Sequence, residues 1–533
     1  MRRFPWVNRL AADYAYNFKS LAPFYAGDPA THAAWADAIA RAQGFARTPA
    51  KIAAVIAAQQ QQRGAPANAV KAAQRLADPR TVAVLTGQQA GLFGGPLFTL
   101  LKALTALKLA DEIAHTHHVP VVAIFWIDAE DHDWNEVRSC TVLDADLTTH
   151  AVGLPAEAAA ESAPVATVQL DERVVAALDE LERVLPTTEF TTGLLADLRK
   201  AYAPGVGMAE AFGRWLERVL GDRGLVVYDA SDPASKPLVA SVFAKELSTR
   251  GDTARLAGVA GASLAAHGYH AQVQTQDGNL SLFRLDARRR PIQQQDDTFV
   301  VGDERNSPAA FAKEATDRPA GFSPNVLLRP LVQDTLFPTI CYVPGPSEIA
   351  YLGQLGGVYA AFGVPMPLMY PRASATLVDS AALRFLSKYK VPLESLQAQD
   401  EAALNELLKA QIPEEIDLSV AAAASAIETA MSRVVAAMPL LDPTLERTAQ
   451  STASRMQQDL QTLQNKTIQA AKRRDDTLRR QFVRARALTF PDGHPQERAI
   501  GFVSFLNQYG PALIDRLDEE LPLDLGQHWV VAI

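Results

Sequence analysis

Cysteine, basic charge and long apolar runs are all scarce in this sequence. Its 533 residues include only two cysteines, Cys140 and Cys341, which argues against a disulfide-built secreted domain. Neither cysteine has metal-ligand spacing, so we expect no metal site. The net charge of −9 does not supply the basic surface that nonspecific nucleic-acid binding requires. No signal-peptide pattern opens the chain, and no run comes near the roughly 18 apolar residues of a membrane span, so we expect a cytoplasmic protein without nucleic-acid or membrane partners.

Glycine, by contrast, is concentrated where a strand runs into a helix. The apolar run 81–86 predicts a buried strand, and leucines at helical spacing after Pro96 predict a helix. The turn between them offers unpaired N–H groups beside the positive end of a helix dipole, which favours carboxylate or phosphate. Its spacing matches neither the P-loop nor the dinucleotide-binding fingerprint. We expect an anionic or nucleotide ligand there; the alternative is a tight connection in which glycine only permits close packing.

A second predicted strand, ending at residue 127, runs into a cluster of acidic residues and one histidine. Because a helix separates the two strands, we expect a parallel sheet, and ligands of such sheets gather at the carboxyl ends of the strands. The glycine turn and residues 128–133 therefore share one rim. The charge density there suits a bound cation, a substrate ammonium or a general base, so Asp131, His132 and Asp133 are candidate catalytic residues. The alternative is a solvated acidic loop.

The segment 325–351 predicts a further strand, a proline–glycine turn and a helix that Ser347 would cap. The planar guanidinium of Arg329 is suited to clamping a carboxylate, and Glu348 and Tyr351 would point into the same rim. Arg372, after the next short strand, is placed to hold phosphate or carboxylate. For all of these residues, capping, core packing or a structural joint is the alternative.

Composition divides the chain into a core, a helical region and a tail. We expect an α/β core over 1–376, interrupted by insertions at about 141–220 and 240–325. From 377 to 490 glycine is absent, proline is sparse and apolar residues step by three and four, which predicts an α-helical coiled coil. Dimerisation through this region and an antiparallel hairpin packed on its own chain both fit that pattern. We expect 491–533 to pack back on the core.

The chain resembles the BshC family of cysteine ligases of bacillithiol biosynthesis in a series of motifs that keep the family's order. The motifs are residues 86–96, 125–133, 268–273, 329–351, 371–376 and 490–514. The resemblance covers essentially the whole chain and implies addition of L-cysteine to the amine of glucosaminyl-malate by amide-bond formation. It also implies a Rossmann-like parallel-sheet core similar to class I aminoacyl-tRNA synthetases, with two connective insertions and a coiled coil that forms a homodimer.

These motifs supply the candidate substrate-binding residues. In our hypothesis the glycine turn holds the anionic part of a substrate, and the acidic cluster binds the cysteine ammonium or deprotonates the glucosaminyl amine. The two arginines would meet the malate carboxylates. The full set is Gln88, Gln89, Gly91, Gly94, Gly95, Asp128, Glu130, His270, Arg329, Gln333, Asp334, Tyr342, Gly345, Glu348, Tyr351 and Arg372.

The sequence departs from the synthetases at their two signature motifs. The first strand–helix junction carries glycines where a synthetase has an H-x-G-H type motif, and no K-M-S-K-S loop is present. Those groups normally stabilise the phosphates of ATP, so ATP or ADP with magnesium is an expected cofactor whose requirement stays open. Two alternatives follow: a nucleotide-binding module with reduced catalysis, or a scaffold for other enzymes of the pathway.

Overall fold

The computed structural model describes residues 4, 6–158, 162–274, 278–410, 414–474 and 476–533. The chain forms two compact units. The first comprises residues 1–376 with 496–531 and 533, and the second comprises 377–495 with 532. The C-terminal residues after 495 therefore belong almost entirely to the first unit.

The β-strands of the structure are short. They are β1 (Val82–Gln88), β2 (Val121–Ile127), β3 (Ser139–Leu143), β4 (Thr149–Gly153), β5 (Val226–Asp229), β6 (Asn279–Leu285), β7 (Arg289–Gln295), β8 (Thr298–Val301), β9 (Glu304–Asn306), β10 (Phe322–Pro324), β11 (Thr339–Tyr342), β12 (Leu368–Met369), β13 (Ser374–Val378) and β14 (His528–Ala532).

The first unit also contains α-helices, which alternate singly or in groups with these strands along the chain. They are α1 (Arg9–Tyr16), α2 (His32–Gly44), α3 (Pro49–Arg63), α4 (Ala67–Arg75), α5 (Leu97–His117), α6 (Trp134–Val137), α7 (Glu172–Val184), α8 (Thr191–Ala201), α9 (Met208–Leu220), α10 (Ala240–Ser248), α11 (Asp252–Ala266), α12 (Pro308–Asp317), α13 (Arg329–Leu336), α14 (Pro346–Leu352) and α15 (Gly356–Phe362).

The second unit is helical, and three further helices follow it in the first unit. The second unit contains α16 (Ser380–Tyr389), α17 (Ala402–Lys409), α18 (Glu414–Ala437), α19 (Leu445–Arg474) and α20 (Asp476–Thr489), and the chain then returns with α21 (Gln496–Ala499), α22 (Phe502–Tyr509) and α23 (Ala512–Glu520).

A five-stranded parallel sheet forms the centre of the first unit. Its order is β12-β11-β1-β2-β5, and all seven residues of β2 are buried, as expected of a parallel strand covered on both faces. From β1 the sheet continues through β2 and then β5 on one side, and through β11 and then β12 on the other side. The strand order thus reverses between β1 and β11, which is where open α/β sheets bind their ligands.

The two predicted insertions contain structure of different kinds. Residues 279–324 form an antiparallel sheet of order β10-β6-β7-β8-β9, which lies inside the second predicted insertion. The first prediction extends too far, because α9 belongs to the core: the ring of Phe212 lies 5.9 Å from that of Phe125 in β2. Helix α9 is therefore part of the connection from β2 to β5.

In the second unit, α18 and α19 pack on each other as a helical hairpin, and Gln457 donates a hydrogen bond to the Ala424 carbonyl over 3.1 Å. No side chain of α18 is buried. By length and composition alone, Glu414–Leu440, with mean hydropathy 1.3, is apolar enough to cross a membrane. A single helix of this kind is weak evidence for a span, so the expectation of no membrane span stays a prediction.

Candidate functional site

A polar cavity of about 300 Å³ lies at the carboxyl ends of β1, β2 and β11, at the reversal of strand order. Its size falls within the range of small-molecule sites. The main-chain N–H of Asp128 donates to the Gln88 carbonyl over 3.0 Å, which joins two of the strand ends. The lining consists of Gly87, Gln88, Gln89, Trp126, Asp128, Glu136, Val326, Arg329, Tyr342, Glu348 and Tyr351.

A buried ion pair between Lys102 and Glu348 forms one wall of the cavity. Lys102 projects from the inward face of α5 and also donates to the Gly87 carbonyl at 2.8 Å and to Gln88 Oε1 at 3.2 Å. Glu348 accepts hydrogen bonds from the Tyr342 hydroxyl at 2.9 Å and the Gly345 N–H at 2.7 Å. Burial acts to raise the pKa of Glu348, but the Lys102 charge and these donors outweigh it and hold that pKa below its usual value.

The helix after β11 is capped differently from the sequence expectation. Gly345 is the N-cap of α14, and Glu348, in the first turn, accepts from its N–H. Ser347 lies one position inside the helix rather than at its cap. Glu348, the acidic residue of this cap, therefore lies in the cavity lining and forms its ion pair with Lys102.

Arg329 is the cation of the described cavity lining. It is the first residue of α13, its side chain is buried, and its Nη2 donates to the Tyr351 hydroxyl over 2.9 Å. Its Nε lies 3.6 Å from Asp128 Oδ2. Burial raises the pKa of Asp128 in spite of this guanidinium. A fixed cation therefore lies beside a carboxylate that binds protons more readily than usual.

The candidate catalytic residues lie in the loop behind the cavity wall, and the lining does not include them. Asp131 accepts from Gln89 Nε2 at 2.7 Å and from Arg289 Nη1 at 3.2 Å, so both of its oxygens have partners. Asp133 caps α6 by accepting from the Glu136 N–H. The His132 side chain is 42% exposed. Within the described lining, the acidic residues are instead Asp128, Glu136 and Glu348.

Glu136 is an acidic residue of the cavity that sequence analysis missed. Burial raises its pKa, with Gln89 acting in the opposite direction. Glu136 lies in the one-turn helix α6, which is too short to show a periodic pattern in the sequence. Its place in the cavity depends on the fold of the surrounding loop. Lys102 was also missed, but it did leave a signal: a charged residue among the leucines of a buried helix face must meet a partner.

The start of α5, where we expected an anion site, is partly covered by the protein itself. The Leu97 N–H donates to the Ile500 carbonyl over 2.8 Å, and the Phe502 N–H donates to the Gly95 carbonyl over 3.2 Å. Gly94, at φ +96°, packs so closely that a Cβ there would overlap the Phe502 ring. The helix terminus is thus covered by the C-terminal segment, and Gly91, Gly94 and Gly95 serve close packing.

Five further candidate binding residues also lie outside the cavity lining. Arg372 makes two hydrogen bonds to buried Glu497, at 2.7 and 3.0 Å, which satisfy its fork. Glu130 is paired with Lys236 and accepts from Ser323 Oγ at 3.1 Å. His270 is exposed. Gln333 and Asp334 lie behind Arg329, which donates to Gln333 Oε1 over 3.3 Å.

The cavity residues do not suit a triphosphate. Three carboxylates line it against one lining cation, Arg329, which lies next to Asp128; Lys102, which is not part of the lining, is paired with Glu348. The start of α5, which would otherwise offer N–H groups, is covered. Across the described residues, no group of three or more histidine, cysteine or acidic side chains is arranged to hold a metal ion.

A parallel sheet with a polar cavity at its reversal point defines a Rossmann-like α/β protein with a candidate small-molecule site. Residues 3–373 match the family model described as "Bacillithiol biosynthesis BshC, N-terminal Rossmann-like domain", and 375–533 match "Bacillithiol biosynthesis BshC, C-terminal coiled-coil domain". The chain belongs to the BshC family.

Curated relatives from several bacteria are similar over nearly the whole chain. A protein of Salinibacter ruber named "Putative cysteine ligase BshC" is 32% identical over 98% of this chain and 96% of its own length. Proteins of the same name are 32% identical in Symbiobacterium thermophilum, over 91% of this chain and 89% of their own, and 31% identical in Solibacter usitatus, over 99% and 98%.

Proposed function

We propose that this chain is a cysteine ligase of bacillithiol biosynthesis that joins L-cysteine to the amine of glucosaminyl-malate. The observation that carries the proposal is the pairing of one buried guanidinium, Arg329, with the protonatable carboxylates Asp128 and Glu136 in a single cavity. An amino acid presents a carboxylate and an ammonium, so this cavity is complementary to a zwitterion. The names of the relatives support the same substrate.

In the proposed reaction Arg329 binds the cysteine carboxyl group, where negative charge develops as the amine attacks. Asp128 takes the proton from the attacking amine, a role that its raised pKa favours because a carboxylate with a higher pKa is a stronger base. Glu136 holds the cysteine ammonium. The bond that forms joins the amine nitrogen to the carboxyl carbon, and the bond that breaks joins that carbon to one carboxyl oxygen, which leaves together with the group that activated the acyl carbon.

Loss of a carboxyl oxygen requires an activated acyl group, so ATP with magnesium is the co-reactant that we propose. The cavity lining does not suit a triphosphate, and we assign no step to it. We include in the proposal the relationship to class I synthetases, since both have a doubly wound sheet with a site at its reversal point. A cytoplasmic location, where thiol substrates stay reduced, is also proposed.

A homodimer through the second unit is a further part of the proposal. Leu418 of α18, Leu440, Leu441 and Leu463 of α19 are exposed, and apolar surface of this extent favours association. Sedimentation velocity of the full chain tests it. We expect a concentration-dependent dimer that Leu418→Asp with Leu463→Asp converts to monomer; a monomeric wild type at micromolar concentration contradicts it.

The activity is tested by mass spectrometry of the product from cysteine and glucosaminyl-malate, with and without ATP and magnesium. We expect Arg329→Lys to lower kcat/KM on the order of a hundredfold, because lysine cannot reproduce the planar fork. Arg173→Lys, at an exposed arginine outside the cavity, is the matched control.

The same assay separates the alternatives. Unchanged kcat/KM in Arg329→Lys would refute the assigned site. No product under any condition, with retained nucleotide binding, would favour a nucleotide-binding module, and loss of pathway-enzyme binding on truncation near residue 377 would favour a scaffold.

A further inference from the structure

A chain of buried hydrogen bonds runs from Arg329 away from the cavity. Arg329 Nη1 donates to Gln333 Oε1 at 3.3 Å, Gln333 Nε2 donates to Asp334 Oδ1 at 3.1 Å, and the Tyr359 hydroxyl donates to Asp334 Oδ2 at 2.5 Å. Arg329, Gln333, Asp334 and Tyr359 are all buried. The chain thus links a cavity residue to α15 without passing through solvent.

The direction of every hydrogen bond in this chain is determined by its two ends. A guanidinium can only donate, and an ionised carboxylate can only accept. The Gln333 amide lies between them, so its oxygen must face Arg329 and its NH₂ must face Asp334. If the amide turned over, its NH₂ would face the guanidinium, donor against donor, and Arg329 would lose its acceptor.

We propose that Gln333 and Asp334 are positioning residues, which hold the Arg329 guanidinium in the orientation that receives the cysteine carboxylate. This inference rests on the function proposed above and adds two residues to it. Neither residue lies in the cavity lining, so neither touches the substrate; they act through Arg329. The sequence-based assignment of both as substrate-binding residues is replaced by this indirect role.

Several other groups surround the Asp334 carboxyl. Arg47 donates to its main-chain carbonyl at 2.8 Å, and the buried thiol of Cys341 lies near enough to affect it electrostatically. Burial raises the pKa of Asp334 to about 6, against the hydrogen bonds from Tyr359, Thr339 and Gln333. At neutral pH the carboxylate is therefore the prevailing form, as the direction of the chain requires.

The first variant for testing is Asp334→Asn, in the full-length protein. The asparagine NH₂ would face either the Gln333 NH₂, donor against donor, or the Tyr359 hydroxyl, whose own proton would then lose its acceptor. In both arrangements a neutral amide replaces the carboxylate that holds Gln333, so its orientation is held less firmly. We expect the KM for cysteine to rise about tenfold while kcat changes by less than about twofold, since one hydrogen bond to a charged group is lost in binding. Gln333→Met, which removes the acceptor for Arg329 directly, is expected to have the same effect.

The decisive variant exchanges the two functional groups. In Gln333→Glu with Asp334→Asn, the carboxylate at 333 accepts from Arg329 and from the new asparagine NH₂, while the asparagine oxygen accepts from Tyr359. Net charge and size are conserved, and every donor again has an acceptor. We expect this double variant to restore the KM for cysteine to within about threefold of wild type.

Glu246→Gln is the control for loss of a buried carboxylate elsewhere. Glu246 accepts from the Ser281 N–H at 2.8 Å and from Thr253 Oγ1, so the variant is expected to lower the melting temperature but leave the KM for cysteine unchanged. A KM increase in this control as large as that in Asp334→Asn would overturn the proposal, because general destabilisation would then explain both.

The outcomes separate this inference from the proposed function. If Arg329→Lys raises the KM for cysteine but folded Gln333→Met and Asp334→Asn do not, the positioning role is refuted and the ligase site stands. The positioning role is also refuted if the KM for cysteine of the double variant is as high as that of Asp334→Asn. If Asp334→Asn does not fold, the double variant is compared with Gln333→Met instead, and an equally high KM again refutes the role. If Arg329→Lys leaves the KM for cysteine unchanged, both proposals fail.

Discussion

Replacing Lys102 with methionine tests whether the cavity wall depends on a buried ion pair. Methionine has a similar length but no charge, so Lys102→Met removes the partner of Glu348 and the donor to the Gly87 carbonyl and the Gln88 side chain. Tyr342 still donates to the carboxylate. Glu348 would keep its hydrogen bonds from Tyr342 and Gly345 but lose the ammonium with which it forms its ion pair.

The magnitude follows from the exposure of the two side chains. Lys102 is 2% exposed and Glu348 is 22% exposed. Removal of one member of a fully buried ion pair costs about 3–5 kcal/mol, because the other charge is left without compensation. Since Glu348 is partly open to the cavity, we expect the lower end, about 3 kcal/mol. This is a large share of the roughly 5–15 kcal/mol that stabilises a typical domain.

The assay is urea unfolding followed by tryptophan fluorescence, which reports on the six tryptophans of the chain, including Trp126 in the cavity lining. Four proteins form a double-mutant cycle: wild type, Lys102→Met, Glu348→Gln and the double variant. We expect a coupling free energy of about 2 kcal/mol, with the double variant more stable than Lys102→Met alone, because it no longer buries an unpaired charge. Additive effects, or a loss below about 1 kcal/mol in Lys102→Met, would refute the reasoning.

Other predictions concern packing, pH and a second ion pair. Gly94→Ala should destabilise the protein by more than about 1 kcal/mol, because its Cβ would meet Phe502, whereas Gly193→Ala, in an open helical position, should not destabilise it; thermal unfolding compares the two. Burial lowers the pKa of His528 to about 4, below the 6.5 of an unfolded imidazole, so the unfolded state binds more protons between these values. Stability should therefore fall as the pH decreases from about 6.5 to about 4, and His528→Gln should reduce that slope in urea titrations. Glu497→Gln should cost about 3 kcal/mol by urea unfolding, since it leaves a buried guanidinium without its carboxylate; an unchanged midpoint would contradict this.

The parts of the fold that local patterns determine were predictable. The apolar run 81–86 and the leucines after Pro96 correspond closely to β1 and α5. Parallel strands joined by helices must present their carboxyl ends on one edge, so the rim that carries Gln88, Asp128 and Glu348 followed from the order of elements alone. These residues are far apart in the sequence, and the order of the strands in the sheet brings them close together.

What the sequence did not reveal depends on contacts between distant segments. The start of α5 looks open in the sequence, and nothing near it indicates that Ile500, some 400 residues later, accepts its first N–H. Arg372 looked like a ligand clamp because its partner Glu497 lies 125 residues away. In both cases a local motif for anion binding is satisfied by the protein itself, and only the tertiary structure distinguishes the two outcomes.

The distribution of charge in the cavity bears on which ligands it can accept. Lys102 and Arg329 each lie beside a carboxylate, so neither is available to neutralise a strongly anionic ligand, and a multiply charged phosphate would meet Asp128, Glu136 and Glu348 at close range. A zwitterion adds no net charge, and its ammonium can compensate a carboxylate while its carboxyl group shares Arg329. Because burial raises the pKa values of Asp128 and Glu136, an entering ammonium would favour their ionised forms and so strengthen its own binding. The cavity is therefore electrostatically better matched to an amino acid and an amine than to a nucleotide.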